Sequence, residues 1–144
     1  MDAGQHEHAP GSPTILVVDD EKNVRLLVAA ILGQVGYTVL AASDGHEGVS
    51  LFREHAPDIV AVILDMMLPQ MPGQDVYREL RRIREDVPII FSSGFEPTAV
   101  TEFAGAEHYL TDFIQKPYQP ATLVDKIRQM VGAVRRAPGL TNLS

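Results

Sequence analysis

Ile59-Val60-Ala61-Val62-Ile63-Leu64-Asp65 is the stretch that decides the architecture. Six apolar residues, most of them β-branched, run without a break and stop at a carboxylate. Alternating apolar and polar residues would mark a strand with one wet face; an unbroken run of this length marks a strand covered on both. Strands of that kind belong to parallel sheets, whose crossovers are usually helices. Short apolar runs should therefore alternate with helical periods on either side.

Upstream, Ile15-Leu16-Val17-Val18 is a second all-apolar run, ending in Asp19-Asp20-Glu21. Val24, Leu27, Val28, Ile31, Leu32 and Val35 follow at helical spacing, with Gly36 placed as the C-cap. Thr38 to Ala42 reads as a strand, and Val49, Leu51 and Phe52 as a shorter helix closed off by Pro57. Downstream, Val76, Leu80 and Ile83 mark a third helix, with Arg78, Arg81, Arg82 and Arg84 forming a basic outer face. Pro88 to Ser92 reads as strand four and Pro97 to His108 as a helix interrupted by Gly105. Asp112 to Gln115 is strand five, and Leu123, Val124, Ile127, Met130 and Val131 mark the last helix. Residues 1–13 and 135–144 carry no hydrophobic period, which predicts a disordered lead, one domain over 14–134 and a flexible tail.

Composition narrows the function. The 144 residues include 19 acidic and 12 Lys/Arg side chains, a net charge of −7, and no cysteine. An acidic chain lacks the clustered cations that displace counterions from a phosphate backbone, so no nucleic-acid partner is expected of this chain itself. The absence of cysteine removes disulfides, thiolate zinc sites and thiol catalysis. No apolar run approaches the ~20 residues that span a bilayer, and residues 1–13 have no apolar core of the kind a secretory signal carries. A cytoplasmic setting is the expectation.

In an open doubly wound sheet the chemistry sits at the carboxyl ends of the strands. Strand one ends in Asp19-Asp20, strand three in Asp65, strand four in Ser92-Ser93-Gly94, and strand five in Lys116-Pro117. Singly, each has an ordinary explanation: Asp19-Asp20 as a helix N-cap, Asp65 as a loop cap, Ser93 as a turn residue, Lys116 as a solvated cation. Together they place three carboxylates, a hydroxyl and an ammonium at one sheet edge. Packed carboxylates repel unless a cation compensates, and an oxygen-only set suits a hard ion such as Mg²⁺. A lysine and a hydroxyl beside that ion are what a phosphoryl group needs, and a carboxylate in the same cage can itself attack phosphorus.

These stretches, with Met66-Met67-Leu68-Pro69-Gln70-Met71-Pro72-Gly73, Pro88-Ile89-Ile90-Phe91 and Phe113-Ile114-Gln115-Lys116-Pro117-Tyr118, resemble the receiver domain of two-component response regulators. The resemblance implies a flavodoxin-like doubly wound α/β fold, a five-stranded parallel sheet in the order 2-1-3-4-5 with five helices. It implies that Asp65 accepts phosphate from the phosphohistidine of a histidine kinase or histidine phosphotransfer domain. Asp19, Asp20, Asp65 and the main-chain carbonyl of Met67 would bind Mg²⁺; Ser93 would hold a phosphoryl oxygen and Lys116 would pair with the phosphate. Phe113 falls at the family's aromatic switch position, and Lys116-Pro117 at its cis peptide. Met67 and Phe95 fall where the family tunes hydrolysis; both are apolar, which predicts slow loss of phosphate.

Three departures from the pattern stand out. Six residues rather than four separate Asp58 from Asp65, so the start of strand three should be shifted; an even insertion keeps the facing of side chains. The family's acidic run before strand five is not cleanly present, and Phe113 replaces tyrosine. The pattern looks more like a hybrid-kinase receiver than one from a transcription factor, and either a stand-alone receiver or part of a longer kinase fits. The reaction would be stoichiometric self-modification rather than conventional enzymatic turnover. The rivals are a receiver fold that acts only by binding, and an Asp-nucleophile phosphohydrolase; the latter's Asp-x-Asp on one strand is missing.

Overall fold

A computed structural model describes residues 13–94 and 110–136, and places in them five strands and four α-helices. The chain runs β1 (Thr14–Val18), α1 (Lys22–Gly33), β2 (Thr38–Ala42) and α2 (Gly45–His55), then a 3₁₀ turn over Ala56–Asp58. It continues through β3 (Ile59–Asp65), α3 (Gly73–Ile83), β4 (Ile89–Ser93), β5 (Thr111–Gln115) and α4 (Pro120–Arg136). The helix expected over Pro97 to His108, the expected disordered lead apart from Pro13, and most of the tail lie outside the described residues. The last helix extends to Arg136, two residues past the expected domain limit.

All four pairings are parallel and the order is β2-β1-β3-β4-β5, as expected. The order reverses between β1 and β3, so the crevice of a doubly wound sheet opens at the carboxyl ends of those two strands. Strand periodicity divides the core. Leu16, Val18, Val62, Leu64, Ile89 and Phe91 point to the side covered by Phe52 of α2 and by Val76 and Leu80 of α3. Ile15, Val17, Ala61, Ile63, Ile90 and Ile114 point to the other, covered by Val28 and Leu32 of α1 and by Leu123 and Ile127 of α4. Both faces of β1 and β3 are thus buried, which is why their sequences are continuous rather than alternating.

The start of β3 is shifted, but differently from the expectation. Thr14 pairs with Ile59 and Ile15 with Ala61, a slip of one residue at Val60. Ile59 and Val62, three apart, consequently share one core cluster. An extra residue absorbed as a bulge changes facing locally, whereas an even insertion would not.

Gly36 ends α1 as expected. It has φ +101, Gly36 N–H donates to Gly33 O at 3.2 Å, and Tyr37 N–H reaches back to Leu32 O at 3.1 Å. That bond pair is the Schellman arrangement, which needs a left-handed residue at this position.

The basic outer face of α3 is only half right. Arg78 and Arg82 are exposed, in pairs with Asp75 and Glu79 on their own helix. Arg84 instead folds back, its Nη1 donating to Ala56 O at 2.6 Å and Ile59 O at 2.7 Å. Arg81 donates to the carbonyls of Glu85, Val87 and Leu110. Carbonyls at the amino ends of β3, β4 and β5 need donors there, and long guanidinium arms supply them.

Candidate functional site

The crevice gathers the residues that ended the strands. Asp19 follows β1 directly; its N–H still donates to Ala42 O at 3.0 Å, which holds it in line with the sheet and buries it. Its Oδ1 accepts from Glu21 N at 2.9 Å, and Arg25 Nη1 donates to its carbonyl at 2.8 Å. The N-cap of α1 is Glu21, with no side-chain capping bond, so the Asp19-Asp20 pair is not spent on starting that helix. Asp65 is the buried last residue of β3; its Oδ1 accepts from Met67 N at 3.0 Å, placing the Met67 main chain beside the carboxylate.

Gly73 is what allows that loop to close. A Cβ there would lie 2.6 Å from Asp65 O and 2.8 Å from Met66 Cα, so only glycine permits α3 to begin so close to the strand end. Gly73 N–H donates to Met66 O at 3.2 Å across the same approach.

Lys116 arrives from β5. Its N–H donates to Ser93 O at 2.9 Å, and a cis peptide joins it to Pro117. Its Nζ lies 2.9 Å from Asp19 Oδ2, 3.5 Å from Asp65 Oδ2 and 3.4 Å from Glu21 Oε1. A solvated lysine would not converge on three carboxylates. Ser93, the last residue of β4, is buried beside this turn. Phe113 is half-buried against the cluster that contains Phe91, its ladder partner. Phe95 lies outside the described residues.

The electrostatics follow from burial. Desolvation pushes the Asp65 carboxyl above its ordinary range and the charge of Asp19 adds to this, while the Met67 amide and the Lys116 ammonium act against it. Burial alone would lower Lys116, but the hydrogen bond and charge of Asp19 and the charge of Asp65 hold its ammonium above the usual lysine value.

Carboxylate oxygens of Asp19, Asp20 and Asp65 lie within 4.8 Å of one another. Among the described residues, the buried Asp19 Oδ2 has no partner besides the Lys116 ammonium, 2.9 Å away. A buried anionic oxygen with one ammonium partner, in an all-oxygen set, keeps lone pairs that a hard divalent cation satisfies, so the residues present fit Mg²⁺.

Glu21, Arg25 and Tyr118 also belong to the site, and the motifs gave them no role. Glu21 is the third carboxylate on Lys116; Arg25 braces the Asp19 carbonyl. The Tyr118 hydroxyl is hydrogen-bonded to Ser92 Oγ in the interior. A side chain reaching across chain neighbours to a carbonyl or a hydroxyl leaves no periodicity to read; Tyr118, between Pro117 and Gln119, carried no such signal.

Fold and site together define a doubly wound domain with a carboxylate, ammonium and hydroxyl cage at its switch point. The chain belongs to the response regulator receiver domain family, whose model matches residues 15–128. Its class of function is that of the family, a phospho-accepting module of two-component signalling, and neither rival reading is favoured. The probable transcriptional regulator ycf27 of Porphyridium aerugineum is 36% identical over 129 residues, covering 90% of this chain and 52% of that protein. The chain thus spans about half the length of the curated relatives it matches. Among solved structures, a response regulator receiver domain protein from Clostridium thermocellum superposes with a TM-score of 0.78 at 28% identity, covering 85% of this chain and 97% of that one. The receiver domain of the hybrid histidine kinase CckA superposes at 0.70 with 30% identity, covering 82% of this chain and 98% of that one. Receivers of transcriptional regulators and of a hybrid kinase are both among the similar proteins. With relatives named as transcriptional regulators, the expectation of no nucleic-acid partner finds no support. Among the described residues, no helix is long and apolar enough to cross a membrane.

Proposed function

We propose that Asp65 is the phospho-acceptor, taking the phosphoryl group from a phosphohistidine of a histidine kinase or histidine phosphotransfer domain. A carboxylate oxygen of Asp65 forms the new bond to phosphorus, the P–N bond breaks, and the electron pair leaves with the imidazole nitrogen. The observation that carries this reading is the convergence of Lys116 on Asp19 and Asp65, 2.9 and 3.5 Å away. Lys116 would pair with a phosphoryl oxygen and the Ser93 hydroxyl would donate to another. Asp19, Asp20, Asp65 and the main-chain carbonyl of Met67 would hold Mg²⁺. When bound, the ion offsets charge on the transferring oxygens.

The step modifies the protein once per phosphate, so the chain acts as a switch rather than a conventional enzyme, in a cytoplasmic setting. Phe113 would pack inward as Ser93 moves toward the phosphoryl group. The exposed Met67 side chain offers no group to orient a hydrolytic water, and with Phe95 it favours a long-lived phosphorylated state. Leu26 and Leu27 on α1 are 58% and 42% exposed just beyond the acidic pair, an apolar surface suited to the donor's helix.

Intact mass after incubation with acetyl phosphate and Mg²⁺ tests the reading. The expected result is a gain of one phosphoryl group, absent in Asp65→Asn and without metal. An unchanged mass in the folded wild-type protein that binds Mg²⁺, both alone and with a phosphorylated histidine phosphotransfer domain, sinks it. For the lifetime, Met67→Asn should lose phosphate faster than wild type; equal decay counts against that assignment.

A further inference from the structure

Tyr118 follows the turn that carries Lys116, and its ring is buried in the cluster formed by Ile15, Val17, Ile63, Ile90 and Ile114. A phenylalanine would fill that space as well. The hydroxyl, by contrast, must be bonded once it is buried, and its partner is Ser92 Oγ, which is fully buried too. Ser92 is opposite Asp65 in the β3–β4 ladder, and its carbonyl accepts from Met66 N at 3.1 Å. One residue therefore contacts both turns of the site: through its carbonyl the turn after Asp65, through its hydroxyl the turn after Lys116.

We propose that Tyr118 is a positioning residue for phosphoryl transfer: its bond to Ser92 ties the turn carrying Lys116 to the strand end opposite Asp65, holding the ammonium over the acceptor. This rests on the reading of Asp65 as the acceptor. The Lys116 N–H to Ser93 O bond fixes only the main chain of the turn; the Tyr118 bond clamps it two residues further on, beyond Pro117. Burial pushes the Tyr118 phenol up to about 12, with the Ser92 bond and the Lys116 charge acting against it, so the hydroxyl stays protonated at neutral pH.

The test compares wild type, Tyr118→Phe, Ser92→Ala, the double variant, Lys116→Ala and Lys116→Ala with Tyr118→Phe. The quantity is the phosphorylation rate against acetyl phosphate concentration at saturating Mg²⁺, with circular dichroism as the check on folding. Loss of one buried hydrogen bond predicts a maximal rate about threefold to tenfold lower in Tyr118→Phe and in Ser92→Ala. The half-saturating donor concentration should stay put, and the double variant should be no slower than the worse single one. On the Lys116→Ala background Tyr118→Phe should cost nothing more, which a purely structural role would not predict. A folded Tyr118→Phe and a folded Ser92→Ala at the wild-type rate would overturn the proposal, as would an undiminished effect of Tyr118→Phe without Lys116. Should Tyr118→Phe fail to fold, Ser92→Ala alone and on the Lys116→Ala background decides in the same way. If Asp65→Asn still gains a phosphoryl group, the acceptor reading fails instead, whatever the Tyr118 variants do.

Discussion

Lys116 Nζ stands 2.9 Å from Asp19 Oδ2, and among the described residues that oxygen has no other partner. The lysine therefore does part of a cation's work within the apoprotein. Lys116→Ala should destabilise the metal-free domain by about 1–3 kcal/mol, the cost of a buried polar group left unbalanced, discounted because the lysine is partly exposed. Mg²⁺ should raise the melting midpoint more in the variant than in wild type, since two cations no longer compete for one oxygen. Equal Mg²⁺-induced shifts would show that the ion binds elsewhere.

Asp65 gives a pH dependence of definite sign. Its folded-state pKa is raised above the ordinary value of 3.8, chiefly by burial. The folded protein thus holds this proton to higher pH than the unfolded chain does. The associated stability is fully present below the unfolded value and is lost as pH rises through the folded one. In metal-free buffer Asp65→Asn should consequently melt higher than wild type at neutral pH, with the difference shrinking toward pH 3.8. Parallel melting curves across that range would contradict the burial argument.

Gly73→Ala should damage the site through the backbone. The added Cβ meets Asp65 O at 2.6 Å and Met66 Cα at 2.8 Å, neither of which is the far end of a flexible side chain. A loss of about 1–3 kcal/mol in stability is expected. Titration with Mg²⁺ should show weaker binding as well, because the strand end carrying Asp65 must move.

Arg84 and Arg82 make a controlled pair on one helix. Arg84→Ala strips the donors from Ala56 O and Ile59 O and should cost about 1–3 kcal/mol by denaturant unfolding. Arg82→Ala removes only an exposed pair with Glu79 and should stay within about 0.5 kcal/mol of wild type. Equal effects would mean that the folded-back contacts contribute nothing.

How far each feature was legible depends on how local its cause is. β3 announced itself because burial on both faces demands apolar residues at every position from Ile59 to Leu64. The limits of β4 and β5 shifted by one residue each, Ser93 joining one and Thr111 the other, since ladder bonds rather than side chains set them. The four strand ends bearing Asp19, Asp65, Ser93 and Lys116 could be read because polar residues that terminate apolar runs are conspicuous. Arg81 and Arg84 misled because helical spacing places them outward, while their length lets them return to carbonyls of the sheet.

The sequence by itself determined the parallel α/β architecture and the set of charged groups at the strand ends, because period and burial act over a few neighbouring residues. The tertiary structure alone decided the slip at Val60, the fold-back of Arg84, the ion pair between Lys116 and Asp19, and the Ser92–Tyr118 bond. Each of these joins atoms that chain order keeps apart, and hydrogen bonds and ion pairs are settled by distance and desolvation in space.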